Sequence, residues 1–413
     1  MGADRGYGGA RPDLGPESPF PNLAAGGKPA NGGRGGRLSL AGAFGVLFLA
    51  VGVYMPFFPL FLAARGLSPE LIGIAIAIPM LVKLVVLPPA GWLWDRIDRP
   101  RAILAAIGLG AAGGFALVGF APGTAAILIA VAISAMFWGP SFALIDAFAV
   151  RLQRVRAVDY GRARLWGSVS FVAGNLLAGA ALDILPGASI VWLIATPFLL
   201  FSLTVWLLPV LPRAVPVPVG STSAPGRIPM RFVLGILAVA IIDASHALFY
   251  TFSAVQWTAA GMSPGLIGFL WSAGVIAEIV LFIYAAQAVR RFRPMLLIVL
   301  GGIAAIVRFG AMAFEPAAGL LFVLQLLHAL TFGATHIGMI ALINESIPDR
   351  ALGRAQASAS TASGIAMALA TLAAGPLFAR YGAGAYLPFA ALGAIGAGIA
   401  LLASVVPGQA QRR

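Results

Sequence analysis

Eight ionisable side chains stand inside long apolar runs of this sequence: Lys83, Asp146, Asp243, His246, Glu278, Arg308, His328 and His336. A charge in hydrocarbon costs at least about 2.5–3.5 kcal/mol on insertion scales, so each of them marks a candidate functional position. The chemistry they could do is limited and specific. A lysine offers a cation to a carboxylate, and a glutamate in low dielectric is suited to take up and release a proton. An arginine keeps its charge and holds a nearby carboxylate ionised until the two are moved apart. Asp146 lies in PSFALIDAFAV and Arg164, 18 residues later, in YGRARLWGS. On an antiparallel helix pair the two would share a depth, as a bridge with a structural or a gating role. Trp166 could stack on a ring substrate or anchor a helix at the interface.

Other chemistries lack their residues. The chain has no cysteine, so disulfides and thiolate sites are absent. It shows no HExxH spacing, no nucleophile elbow and no phosphate loop, which argues against an enzyme and against a bound metal or cofactor. A net charge of +13 raises nucleic acid as a partner, but the arginines fall in short connections between apolar runs.

The elements that position these groups follow from composition: 413 residues, 60% hydrophobic and 10% charged, with mean hydropathy +0.95, describe an all-α polytopic membrane protein. Twelve segments are long enough to cross a bilayer, at 38–64, 69–93, 102–120, 124–151, 162–185, 188–211, 231–259, 264–289, 294–314, 316–343, 354–380 and 383–407. Of the 27 Lys and Arg, 23 lie in the tails and the loops of one face, while the other face has only Arg65 and Arg380. Both termini are therefore expected in the cytoplasm, with the chain multi-pass in the inner membrane. Residues 1–37 read as a disordered tail without a signal peptide, and 408–413 as a second tail. The Pro-, Gly- and Ser-rich stretch 212–230 reads as a cytoplasmic linker between six-helix bundles at 38–211 and 231–407.

The bundles are related. GLSPELIG at 66–73 recurs as GMSPGLIG at 261–268, and GRA at 161–163 recurs at 353–355. The first pair is offset by 195 residues, and the same offset carries Lys83 onto Glu278. These two are expected to face one midplane cavity from opposite walls, as substrate cation and proton carrier, or else to neutralise each other as a structural bridge. His328 and His336, eight residues apart, would differ by about 80° and 12 Å on a regular helix.

GWLWDRIDRPR at 91–101 resembles the signature loop of the major facilitator superfamily, and Gly91, Asp95, Arg96 and Arg99 match it. The resemblance implies two six-helix repeats and a conformational gate made by these residues with Arg164. Asp98 and Pro100 depart from the pattern. The segments YMPFFPLFLAARGLSPELIG, DYGRARLWGS, WSAGVIAE and QLLHALTFGATH resemble the phenylpropionate permease branch, a proton-linked group near the oligosaccharide and nucleoside symporters. This implies a monomeric, proton-driven importer of a small organic solute, an aromatic carboxylate before a sugar or nucleoside, in a lipid bilayer. A drug or metabolite exporter of the same fold is the alternative. Asp243, Glu278, Arg308 and His328 resemble the coupling network of the lactose permease group, except that Thr331 stands where that group has a glutamate. Tyr54, Phe58, His246 and Tyr250 join Lys83, Asp146 and Trp166 as candidate substrate contacts, although core packing explains the aromatic ones equally well.

Overall fold

A computed structural model of the chain describes residues 34–156, 158–211, 228–348 and 351–406. Among them twelve helices follow one another: α1 Gly35–Ala64, α2 Pro69–Arg96, α3 Pro100–Phe120, α4 Thr124–Gln153, α5 Tyr160–Leu182 and α6 Gly187–Leu207, then α7 Met230–Ala259, α8 Pro264–Ile283, α9 Pro294–Met312, α10 Ala318–Ser346, α11 Leu352–Tyr381 and α12 Tyr386–Val405. The expected tails and linker fall almost wholly outside the described residues. The single run expected over 264–289 is interrupted at Tyr284, whose φ of −97° and ψ of 10° end α8 before a short helix, Ala285–Arg291.

Local chemistry sets the helix starts. Pro69, Pro100, Pro264 and Pro294 each open a helix, where the missing N–H removes no intrahelical bond. The repeated octapeptide folds the same way twice: Gly66 and Gly261 take φ of +78° and +83°, and Ser68 and Ser263 follow as extended caps. Glycine takes this left-handed turn without the penalty a Cβ would bring.

Three helices depart from regularity near mid-length. α4 breaks at Gly139–Pro140 and α7 at Ser245–His246. α10 opens into a π turn over Ala329–Ala334, a feature that accompanies functional sites in many helices.

The halves pack most extensively along two seams, α2 on α11 and α5 on α8, with α1 also against the second part of α7. Both depend on glycine. A Cβ on Gly375 would lie 2.6 Å from the Pro69 carbonyl oxygen, and one on Gly179 would lie 2.6 Å from that of Pro264. The α5–α8 seam adds hydrogen bonds from the Gly265 N–H to Asp183 Oδ1 (3.0 Å) and from Ser272 Oγ to the Val172 carbonyl (3.4 Å). These contacts close the end of the bundle where α2 and α8 begin. At the opposite end Val85 and Trp92 on α2 and Arg354, Gln356 and Ser358 on α11 are exposed, and a Cβ on Gly91 would meet nothing within 4 Å. The protein is sealed at one end and parted at the other.

Candidate functional site

A cavity of about 380 Å³ lies between the halves. Its first-half wall is Phe48, Val51 and Met55 of α1 with Arg164, Ser168 and Phe171 of α5. Its second-half wall is Phe249 and Tyr250 of α7, Trp271 and Glu278 of α8, Arg308 of α9, and Gln325, His328 and Phe332 of α10. Trp271, Gly274, Val275 and Glu278 reach it together because residues three, four and seven apart share a helix face.

Arg308 organises the second wall. It is 1% exposed, and its guanidinium lies 4.6 Å from the Phe249 ring centroid. Nη2 donates to Gln325 Oε1 at 2.6 Å, while Nη1 donates to Thr331 Oγ1 at 3.2 Å and to His328 Nδ1 at 3.1 Å. Because arginine has no acceptor, His328 Nδ1 must accept, which leaves its proton on Nε2. Nε2 then donates to Glu278 Oε2 at 3.2 Å. A second branch runs from Thr331 to His246 Nε2 (2.9 Å). His246 Nδ1 faces the carbonyl oxygens of Ile242 and Asp243 at 3.3 and 3.2 Å, so it is the donor there and Nε2 accepts the threonine proton. Every bond thus points away from Arg308, toward Glu278 on one branch and toward the α7 break on the other.

Two guanidiniums serve this cavity. Arg164 on the facing wall lies 4.1 Å from the Phe48 ring centroid and interacts electrostatically with Glu278. The walls therefore bring two fixed cations and one carboxylate to a chamber otherwise lined by aromatic, aliphatic and a few neutral polar side chains. Such a chamber can bind a small planar anion, with the rings against its body and a guanidinium on its carboxylate.

The residues singled out in the sequence separate in space. Glu278, Arg308 and His328 form one chain of bonds, with His246 on its other branch and Tyr250 on the cavity wall. Asp243 is outside that chain: its Oδ2 accepts from Ser363 Oγ of α11 at 2.7 Å. Lys83 lies beside Gly139 of α4 and is not among the residues that line this cavity with Glu278. Asp146 accepts from Tyr160 at 3.0 Å, and Arg164 interacts electrostatically with both members of that pair, so the expected pairing of Asp146 with Arg164 runs through a phenol. Trp166 is exposed outside the cavity, and Tyr54 stacks on Phe58 at 4.9 Å in the first-half core. In the signature loop Asp95 is exposed, Arg96 lies over the Trp92 ring at 4.3 Å, and Asp98, which departs from the pattern, pairs with Arg151 at 3.7 Å. Gln325, Ser168 and Trp271 are cavity residues that the charge inventory passed over. Gln325 stands three residues before His328, and Trp271 seven before Glu278, spacings that place each on its partner's helix face.

The model of the MFS_1 like family matches residues 37–387. The chain is 29% identical over 362 residues to a probable 3-phenylpropionic acid transporter of Escherichia coli strain K12, covering 84% of this chain and 92% of that one. It is 27% identical over 376 residues to a maltose permease of Geobacillus stearothermophilus, covering 86% and 92%. Among solved structures, the nucleoside transporter NupG superposes with a TM-score of 0.76 at 14% identity over 90% of this chain and 99% of that one. A bacterial homologue of the lysosomal transporter Spinster, inward-facing and unoccupied, gives 0.72 at 15% identity over 89% and 96%.

Proposed function

The chain belongs to the MFS_1 like family and is a secondary transporter of that type, and on this premise we propose that it imports a small aromatic carboxylate together with a proton. The observation that carries this reading is the cavity between the halves, with aromatic walls, Arg164 on one side and the Arg308–His328–Glu278 chain on the other. Two guanidiniums against one carboxylate favour an anion over a neutral sugar or nucleoside. The 3-phenylpropionic acid transporter among the relatives supports the same class.

Coupling follows from charge balance. With Glu278 ionised, its carboxylate accepts from His328 and offsets the cations of the two walls. A proton on Glu278 removes that negative charge, so the guanidiniums then draw in the substrate carboxylate. The histidine already carries its proton on Nε2, so a protonated Glu278 can only go on accepting from it through its carbonyl oxygen, and the bond weakens from a charge-assisted one to a neutral one. Proton and anion thereby raise each other's affinity, as linkage requires. The parted end is the arginine-rich end, which the positive-inside rule assigns to the cytoplasm together with both termini. The described state is then inward-open, ready to release its load.

The test uses proteoliposomes with an imposed pH gradient, acid outside, and 3-phenylpropionate as probe. The wild type should accumulate the acid, whereas Glu278→Gln should exchange it without accumulating it. Normal accumulation by that variant would remove Glu278 as the proton carrier. Failure of the wild type to bind any aromatic carboxylate would overturn the substrate class.

A further inference from the structure

The internal repeat exposes a difference at the arginine-rich end. Pro100 and Pro294 open α3 and α9, so Arg101 and Met295 are repeat mates. In the first half α3 meets α6 where a Cβ on Gly108 would touch the Phe198 carbonyl. In the second, α9 meets α12 where one on Gly302 would touch that of Gly393. This register pairs Trp206 with Leu401. In the first half Arg101 fills the junction: Nη1 donates to the carbonyl oxygens of Trp206 and Leu208 at 3.2 and 3.0 Å, and the guanidinium faces the Trp206 ring at 5.7 Å. In the second half the arginine has become a methionine whose side chain turns inward against Gly235, and the tryptophan has become a leucine. What remains there is a cavity of about 540 Å³.

This second cavity is charged. Among the described residues Arg231 and Arg293 line it with one acid, Glu345, and the Arg231–Glu345 pair is loose at 3.7 Å. Arg231 Nε is buried without a hydrogen-bond partner among the described residues. Leu296 and Leu401, 44% and 55% exposed, line it on the apolar flank of α9 and α12. A site with a net positive charge, at the end of the membrane-crossing helices and continuous with an exposed apolar flank, matches a molecule with a phosphate head and hydrocarbon tails. We propose that this cavity binds the headgroup of an anionic phospholipid, with the phosphate between Arg231 and Arg293 and the acyl chains along Leu296 and Leu401. Among the described residues, the matching junction of the first half is filled by Arg101. The inference is independent of which solute the central cavity carries.

The experiment is native mass spectrometry of the full-length protein titrated with palmitoyl-oleoyl phosphatidylglycerol or with phosphatidylcholine of the same chains. An arginine near a phosphate contributes enough for about fivefold in affinity, so phosphatidylglycerol should bind at least about fivefold tighter, and Arg293→Gln should remove most of that preference. Leu401→Trp restores the ring of the first half and should weaken binding of the lipid without lowering the thermal unfolding temperature, since position 401 is exposed. Equal affinity for the two lipids, or a preference that survives both substitutions, would overturn the proposal. Inorganic phosphate at millimolar concentration that displaces the lipid completely would overturn the lipid assignment in favour of a free anion. Loss of binding on deleting residues 408–413, with Arg293→Gln silent, would move the site to the terminal arginines and overturn it as well.

Discussion

Gly114 and Ser134 touch where α3 crosses α4, and Arg308 and His328 touch where α9 crosses α10. The two pairs are repeat mates, counted from Pro100 and Pro294 on one helix and from Thr124 and Ala318 on the other. In the first half the crossing is so tight that a Cβ on Gly114 would come within 2.5 Å of the Ser134 backbone. In the second half the same crossing holds a guanidinium, an imidazole and the hydrogen bonds they make to Gln325, Thr331 and Glu278. Duplication therefore copied the helix plan and left the chemistry of each crossing free to diverge. One half became a close-packed aromatic wall that contributes a single cation, Arg164, and the other became the polar network.

Substitutions can press on that division. The largest effect is expected from Arg308→Lys: an ammonium cannot span Gln325, Thr331 and His328 as the planar fork does. Transport should be lost, and stability against denaturant should fall by about 3 kcal/mol, since a hydrogen bond from a charged donor is worth roughly 1.5–3 kcal/mol. Wild-type transport by that variant would mean that the network is only packing. Arg164→Gln should raise KM for a carboxylate substrate by about tenfold to a hundredfold while lowering stability less than Arg308→Lys does, because this cation lies on a wall against the Phe48 ring and outside the Arg308 chain. An unchanged KM would assign anion recognition to the second half alone. Lys83→Met should have the smallest effect, less than about twofold on KM, since Lys83 is exposed and off the cavity. If it abolished uptake, the first half would hold a second functional centre on α2.

The sequence made the helices and their pairing legible because both rest on local signals: apolar runs, Ser-Pro starts after a left-handed glycine, and a repeated octapeptide. It also picked out Glu278, Arg308 and His328, whose ionisable groups stand against hydrocarbon. The rotation of each helix about its axis was not legible, since it depends on partners distant in sequence. For that reason Lys83, the repeat mate of Glu278, turns out to lie away from the cavity, and Arg164, read as a gate residue, is part of its wall. Regular geometry also misplaced the histidines of α10. The π turn between them takes up part of the expected rotation, and His328, Phe332 and His336 stack in one ladder with centroids 5.5 and 6.0 Å apart. No residue in ALTFGA declares that turn in advance.

The hydrogen bond from Thr331 to His246 joins the π turn of α10 to the break of α7. Each of those points is a place where a helix can flex, and the bond makes them one mechanical freedom instead of two. A state in which only one of the helices has bent must give up a buried hydrogen bond, which at about 1 kcal/mol makes it roughly fivefold rarer. Through one threonine hydroxyl, two irregular points 85 residues apart in the chain are held to a single movement.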